Sequence, residues 1–162
     1  MRIAGIIKDS IVNGVGIRDV LFTQGCPHHC KGCQNPETWD VRGGKWVEAV
    51  DMIEELSGDN NLTISGGEPL LNVYELEMLF LRHFEERYPN KTIWLYTGYK
   101  FEEIPQDKVK ILSWYNIEVI VDGKYEEDKR DTKLKFRGSS NQRLIDFKKS
   151  IKSGKTVLWE EQ

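Results

Sequence analysis

Residues 61–98 read NLTISGGEPLLNVYELEMLFLRHFEERYPNKTIWLYTG, and this stretch decides the fold. Asn61–Ser65 is a short β-rich run that stops at two glycines, and Val73–Tyr88 repeats its apolar residues at helical spacing. A Pro-Asn pair at 89–90 ends that helix, and Thr92–Tyr96 is a second β-rich run. A strand, a helix and a strand in succession are typical of a parallel βαβ unit.

The same alternation continues on both sides of this unit. Short β-rich runs and helical periodicities predict further elements. The strands are Gly16–Gln24, Ile117–Val121 and Thr156–Trp159, and the helices are Trp46–Leu56, Asp107–Tyr115 and Gln142–Lys152. The charged stretch Lys124–Lys133 is predicted to be a loop. The chain is therefore expected to have an α/β fold.

Length and composition exclude several classes of protein. The 162 residues fit a single domain, 1–162, and 39% hydrophobic with 30% charged residues argue against disorder. A net charge of −3 gives no electrostatic footprint for nucleic acid or an anionic membrane. No apolar run approaches the ~18–20 residues of a membrane span, and Met1–Ser10 lacks the apolar centre of a signal peptide. We expect a soluble, cytoplasmic protein with no nucleic-acid or membrane partner.

Residues suited to chemistry follow four of the predicted strands. Cysteines follow the strand Gly16–Gln24, and the sequence GGEP follows Asn61–Ser65. Thr97 follows the next strand, and Asp122 follows Ile117–Val121. Because the carboxyl ends of parallel strands meet at one edge of a sheet, we expect these residues to form one site.

All three cysteines of the chain, Cys26, Cys30 and Cys33, lie on one loop with the spacing C-x3-C-x2-C. Three thiolates on a tight loop can each bind one iron of a 4Fe–4S cluster. The fourth iron then has no protein ligand, and an open position distinguishes a catalytic metal site from a closed structural one. This spacing favours a cluster that binds a small molecule.

Two other metal sites are compatible with the same loop. A zinc site would use the cysteines with His28 or His29, although zinc ligands usually come from two separated pairs and no second pair is present. An electron carrier with a closed cluster would need a fourth ligand, and there is no fourth cysteine. On spacing alone these alternatives stay open. We expect both histidines to be solvated loop residues.

Further candidate ligands lie at the other strand ends. Glycines at 66 and 67 let the backbone approach a ligand closely, and a carboxylate such as Glu68 can accept hydrogen bonds from an ammonium group. A strand-to-helix turn is the structural alternative. Thr97 and Asp122 are candidates either for ligand contacts or for capping and turns. No Ser–His–Asp or Cys–His constellation lies near a strand end, which agrees with chemistry that needs no catalytic side chain.

Five segments of the chain together carry a family resemblance. They are GIRDVLFTQGCPHHCKGCQNPETWD (16–40), TISGGEPLL (63–71), WLYTGY (94–99), VDGKY (121–125) and RGSSNQRLID (137–146). These segments resemble the radical S-adenosylmethionine (SAM) superfamily and, within it, the branch of activating enzymes of anaerobic (class III) ribonucleotide reductases. Their order and spread mean that the resemblance covers most of the chain.

The resemblance implies a fold, a reaction and partners. The fold would be a partial, open TIM-like βα barrel of the radical SAM type, since a complete barrel needs roughly 200–250 residues. A 4Fe–4S cluster on Cys26, Cys30 and Cys33 would cleave SAM reductively to a 5′-deoxyadenosyl radical. That radical would generate a glycyl radical on the catalytic subunit of anaerobic ribonucleotide reductase, with electrons from a reduced donor such as flavodoxin. The nearest alternative is another small radical SAM enzyme, acting on a different glycyl-radical enzyme or on a nucleotide precursor.

The resemblance also assigns roles to residues. Gly66, Gly67 and Glu68 would hold the amino acid end of SAM, and Thr97 and Asp122 would contact SAM or a cation near its carboxylate. Many members of the superfamily have an aromatic residue before the third cysteine that packs on the adenine, where this chain has Gly32. The adenine would then meet the backbone of three consecutive residues, Gly32, Cys33 and Gln34.

Overall fold

The computed structural model describes residues 1–160 and centres on a seven-stranded sheet. The strands are β1 (Arg2–Ser10), β2 (Arg18–Thr23), β3 (Lys45–Trp46), β4 (Asn61–Gly66), β5 (Ile93–Tyr96), β6 (Ile117–Asp122) and β7 (Arg143–Asp146). The helices are α1 (Ala49–Glu55), α2 (Val73–Leu76), α3 (Arg82–Arg87), α4 (Gln106–Leu112) and α5 (Phe147–Ser153). Glu77–Leu81 is a π-helical segment between α2 and α3, and 3-10 helices lie at Pro36–Thr38, Pro69–Asn72, Phe101–Glu103 and Glu127–Lys129.

The middle of the sheet consists of four parallel strands in the order β2, β4, β5, β6. β2 and β4 pair from Arg18 opposite Asn61 to Thr23 opposite Gly66. The helical segment between β4 and β5 runs from Val73 to Arg87. The predicted parallel βαβ unit is therefore confirmed.

The sheet is open and mixed. Its order is β3-β1-β2-β4-β5-β6-β7, so within residues 1–160 the strands β3 and β7 form its two edges. β1 runs antiparallel to β2, and β7 runs antiparallel to β6. The expected α/β class is confirmed.

The strand at the amino terminus, β1, was not predicted. Of its nine residues only Ile3 is buried and the other eight are at least partly exposed, and its pairing with β2 shifts register near Gly5 and again before Ser10. Such bulges remove the strict alternation by which a half-buried strand is recognised in sequence. The predicted helix from Trp46 begins instead at Ala49, because Lys45 and Trp46 pair with β1.

The predicted helix Gln142–Lys152 is wrong in its first part, where Arg143–Asp146 form β7. Leu144 and Ile145 pack on opposite faces of the sheet, which is the two-residue period of a strand. Asp146 is the N-cap of α5, because its side chain accepts a hydrogen bond from the backbone N–H of Lys149 at 2.9 Å. The predicted strand Thr156–Trp159 amounts to one bridge, between Leu158 and Ile145.

Two apolar clusters pack on the two faces of the sheet. The larger combines strand residues with the helices α1 to α5, and includes Ile64 and Phe80. On the other face, the buried Trp94 lies 5.2 Å from the ring of Phe136 and 5.2 Å from that of Trp159. Segments that follow β6 and α5, rather than helices, therefore cover this second face.

The carboxyl ends of the parallel strands lie side by side. Thr23 of β2 is opposite Gly66 of β4, and Tyr96 of β5 is opposite Val121 of β6. The loops that follow these strands therefore share one edge of the sheet, as the sequence predicted. No helix in residues 1–160 is both long and apolar enough to cross a membrane.

Candidate active site

A cavity of about 350 Å³ opens where these four loops meet. Most of the predicted site residues line it, namely Cys26, Cys30, Cys33, Gln34, Gly66, Gly67 and Thr97. Gly32, Glu68 and Asp122 lie beside the cavity walls without lining them. The sequence-predicted residues are thus brought to one place, although three of them do not face the cavity.

The cysteine loop is held to the segment that follows it. The backbone N–H of Gly25 donates to the carbonyl of Thr38 at 2.7 Å, and that of Cys26 donates to the carbonyl of Trp39 at 3.1 Å. Gly32 has φ +75°, and a Cβ at this position would lie 2.1 Å from Oε2 of Glu127. The positive φ therefore favours glycine before the third cysteine, whereas the flexible Glu127 side chain could move aside for a Cβ.

The three thiols are free and half-buried. Burial raises the pKa of Cys26 and of Cys30, and the nearby charge of Glu68 contributes to the raised pKa of Cys26. Nucleophilic cysteines have a lowered pKa instead. Cys26 and Cys30 therefore lack the activation of a nucleophile, and a metal would bind them by displacing their protons.

Each of the two histidines of the loop contacts a residue outside the cysteine set. Nε2 of His28 lies 2.8 Å from Oε2 of Glu68, and the His28 side chain is only 6% exposed. His29 is exposed and stacks on Trp39 with ring centres 4.9 Å apart. The expectation of a solvated side chain is confirmed for His29 and wrong for His28.

The thiols do not converge on one ion. Within residues 1–160 no group of three or more His, Cys, Asp or Glu side chains is placed to hold a single metal ion. A 4Fe–4S cluster needs no such convergence, because each thiolate binds a different iron. The donor set, three half-buried thiols at the wall of a cavity, fits a cluster.

Glu68 is a buried residue whose carboxylate is fully used within the protein. Its Oε1 accepts from the backbone N–H of Leu70 at 3.0 Å and from the Thr97 hydroxyl at 2.9 Å. Its Oε2 lies 2.8 Å from Nε2 of His28 and accepts from the backbone N–H of Gly98 at 2.8 Å. Thr97 lines the cavity, but its hydroxyl points to this carboxylate.

Asp122 is held by residues behind the cavity. Its carboxylate accepts from Nε of Arg143 at 3.0 Å and from the backbone N–H of Phe101 at 2.7 Å, and the residue is fully buried. Arg143 also pairs with Glu102 at 2.7 Å. Asp122 and Glu102 raise the pKa of Arg143 above its ordinary value. This network joins the end of β6 to β7. The Asp122 carboxylate, a candidate for ligand contacts, is used within the protein instead.

The Glu102–Arg143 pair makes stability depend on acid pH. Arg143 and Thr156 lower the pKa of Glu102 from 4.5 to about 2. The unfolded chain therefore takes up a proton at higher pH than the folded protein does, and the stabilisation is complete above about pH 4.5 and lost as the pH falls towards 2. We expect Glu102→Gln to make the unfolding free energy, measured by urea unfolding, less dependent on pH in this range. If the variant and the wild-type protein lose the same stability as the pH falls, Glu102 is not stabilised by Arg143.

Sequence reasoning missed residues that line the cavity between β6 and β7. Lys124, Tyr125, Gly138 and Gln142 all reach it. The Gln142 side chain braces this segment, because its Oε1 accepts from the backbone N–H of Gly138 at 2.9 Å and its Nε2 donates to the carbonyl of Gly123 at 3.0 Å. The signal was present in the segments VDGKY and RGSSNQRLID, whose role the sequence could not assign.

Comparison with known proteins gives the same family on two counts. Residues 12–145 match the family described as "4Fe-4S single cluster domain". The chain is 43% identical over 141 residues to the anaerobic ribonucleoside-triphosphate reductase-activating protein of Enterobacteria phage T4, covering 82% of this chain and 86% of that protein. The chain belongs to this family of activating proteins. The proteins of the same name from Haemophilus influenzae and Escherichia coli K12 are 37% and 39% identical, over 85% and 82% of this chain and 93% and 90% of theirs.

Membership of the activating proteins confirms the resemblance found in the sequence. The matched span contains all three cysteines and every candidate site residue. A family described by a single 4Fe–4S cluster supports the cluster over zinc as the group for this loop. The cavity that these residues line is therefore the candidate active site.

Proposed function

We propose that this chain activates anaerobic ribonucleotide reductase by generating a glycyl radical on its catalytic subunit. The observation that carries the proposal is that the cysteine loop and the glycine-rich end of β4 line one cavity. The thiols that we propose as cluster ligands and the backbone that we propose as a surface for a small molecule therefore line the same cavity. The relatives named as reductase-activating proteins supply the identity of the protein substrate.

The residues of the chain divide the work around this cavity. The thiolates of Cys26, Cys30 and Cys33 would hold the 4Fe–4S cluster. With SAM bound, this group would supply the reductive cleavage of SAM and the hydrogen-atom abstraction from the reductase glycine. Backbone groups of Gly66 and Gly67 lie at the cavity wall and are proposed to orient SAM.

The adenine is proposed to lie against the backbone beside the third cysteine. Cys33 and Gln34 line the cavity, and Gly32 shapes the turn that presents them. Thr97 and Gly98 also line the cavity. Asp122 supports the end of β6 through Arg143 and is proposed to act on SAM only through the position of the segment that follows.

The fold and surroundings fit the same activity. We propose that the open sheet is part of a TIM-like βα barrel of the radical SAM type and that residues 1–162 form a single domain. An open edge would admit a loop of the protein substrate. Three free, closely spaced thiols fit a reducing compartment, so the cytoplasm is the proposed location and a reduced flavodoxin is the proposed electron donor.

The experiment that tests this function uses the full chain, reconstituted anaerobically with iron and sulfide. With reductant, SAM and the reductase catalytic subunit, we expect 5′-deoxyadenosine in solution and a glycyl radical signal by electron paramagnetic resonance. A reductase with its radical glycine replaced by alanine is the matched control and should give no signal. SAM cleavage without a glycyl radical would contradict the partner, and a protein that binds no cluster would contradict the chemistry.

A further inference from the structure

The buried carboxylate of Glu68 has no capacity left for a ligand. An ionised carboxylate has about four acceptor positions, two on each oxygen. Four donors occupy them, namely Leu70 N–H, the Thr97 hydroxyl, Gly98 N–H and Nε2 of His28, all within 3.0 Å. Glu68 is 1% exposed and does not line the cavity. An ammonium group in the cavity would therefore find no unoccupied oxygen on this side chain.

His28, on the loop between Cys26 and Cys30, is held in place by the Glu68 carboxylate. Because a carboxylate only accepts, Nε2 of His28 must carry the hydrogen in their 2.8 Å contact. The imidazole also packs edge-on against the Tyr99 ring, with centres 4.7 Å apart. A Cβ at Gly98 would lie 2.3 Å from the His28 ring, so the ring rests directly on the Gly98 backbone. His28 is thus held on three sides.

The contacts join the ends of two strands, β4 and β5, to the loop between Cys26 and Cys30. Glu68 follows β4, Thr97 and Gly98 follow β5, and His28 lies between Cys26 and Cys30 on the loop that follows β2. The backbone N–H of Glu68 also donates to the carbonyl of Gly25 at 2.8 Å, directly before Cys26. The position of the first two thiols is therefore coupled to the buried carboxylate.

We infer that Glu68 is a positioning residue, which holds the cysteine loop through His28 and does not bind SAM. This inference rests on the proposed function, since it assumes that the loop carries the cluster. It differs from the role that the family resemblance implied for Glu68, which was direct contact with the amino end of SAM. Partners that orient metal ligands from behind commonly change metal retention when they are removed.

Glu68→Gln is the direct test, because an amide cannot replace the carboxylate here. One backbone N–H faces each oxygen, Leu70 on one side and Gly98 on the other. Whichever way the amide is turned, its NH₂ group meets a backbone donor. We expect the reconstituted variant to lose iron to a chelator about tenfold faster than the wild-type protein. The Kd for SAM, measured by equilibrium dialysis on the cluster-loaded fraction, should stay within about twofold, because no direct contact is lost.

Two His28 variants keep the test decisive if Glu68→Gln does not fold. His28→Leu removes the donor, whereas His28→Gln retains an N–H near the same position. We expect His28→Leu to lose iron about tenfold faster and His28→Gln to restore most of the retention. Glu77→Gln is the matched control, since Glu77 is also buried and accepts from Tyr115 at 2.5 Å and Arg82 at 3.0 Å, but these partners lie outside the cysteine loop.

The outcomes separate this inference from the proposed function. A Kd for SAM raised by more than about tenfold in Glu68→Gln, with normal iron retention, would show a direct charge-assisted contact and overturn the inference. Equal iron retention in His28→Leu and the wild-type protein would overturn it as well. If the wild-type protein binds no cluster, the proposed function fails. Hydrogen exchange in the cluster-free protein still tests the contacts, since the Gly98 and Leu70 amides should exchange faster in Glu68→Gln.

Discussion

Replacing Cys26, Cys30 or Cys33 by alanine is expected to give a folded protein that cannot keep its cluster or cleave SAM. Each thiol is on the wall of the cavity, and the chain contains no other cysteine to take its place. Neither neighbouring histidine is available, because His28 contacts Glu68 and His29 stacks on Trp39. Iron content should fall from about four per chain to below about one, and 5′-deoxyadenosine should fall to background.

The control for the cysteine variants is His29→Ala. His29 is on the same loop, is exposed, and makes its ring contact with Trp39 outside the ligand set. Its removal should leave the iron content and the SAM-dependent product close to those of the wild-type protein. Circular dichroism should show that all four variants fold, because the thiols are only half-buried and belong to no core cluster. A cysteine variant with full iron content would contradict the assignment of that thiol as a ligand.

Local pattern was enough to predict the strands and loops that build the site. The parallel strands β4, β5 and β6 are short apolar runs bounded by Gly, Pro or Asp, and each was predicted within one residue of its observed ends. Because strand ends in a parallel sheet share an edge, the convergence of the cysteines with Gly66 and Thr97 followed from topology alone. Spacing also predicted that the three cysteines bind one metal centre.

The direction in which a side chain faces could not be predicted in the same way. Glu68 was expected to hold a ligand, and Asp122 either to contact a ligand or to form a cap or turn; both are buried against protein donors. The partner of Asp122 is Arg143, 21 residues away on a strand that the sequence assigned to a helix. A carboxylate at a strand end has the same sequence signature whether its donors belong to a ligand or to a later segment of the chain.

A second large effect is expected at Gly67, where two loops touch through their backbones. A Cβ at this position would lie 2.3 Å from the carbonyl oxygen of Gly25 and 2.9 Å from its carbon. The obstacle is backbone, so no side chain can rotate away. The same carbonyl accepts from the N–H of Glu68 at 2.8 Å, and Gly67 itself donates to Thr23 at 2.9 Å. Gly67→Ala must therefore separate the end of β4 from the residue that precedes Cys26.

We expect Gly67→Ala to lower the free energy of unfolding by about 2–4 kcal/mol, from forced overpacking and the loss of a buried hydrogen bond. Urea unfolding of the cluster-free protein measures this directly. Iron retention after reconstitution should fall too, because Cys26 moves with Gly25.

Gly5→Ala is the matched control for the Gly67 variant. Gly5 is in β1, its φ is not positive, and a Cβ there would meet no atom within 4 Å. Alanine should therefore be neutral or stabilising by up to about 1 kcal/mol, since glycine weakens a strand interior. If Gly67→Ala unfolds at the same urea concentration as Gly5→Ala, Gly67 does not approach the Gly25 carbonyl this closely. Gly66 and Gly67 would then be needed only for the close approach of a ligand. A raised Kd for SAM in Gly67→Ala, with normal stability, would show that role.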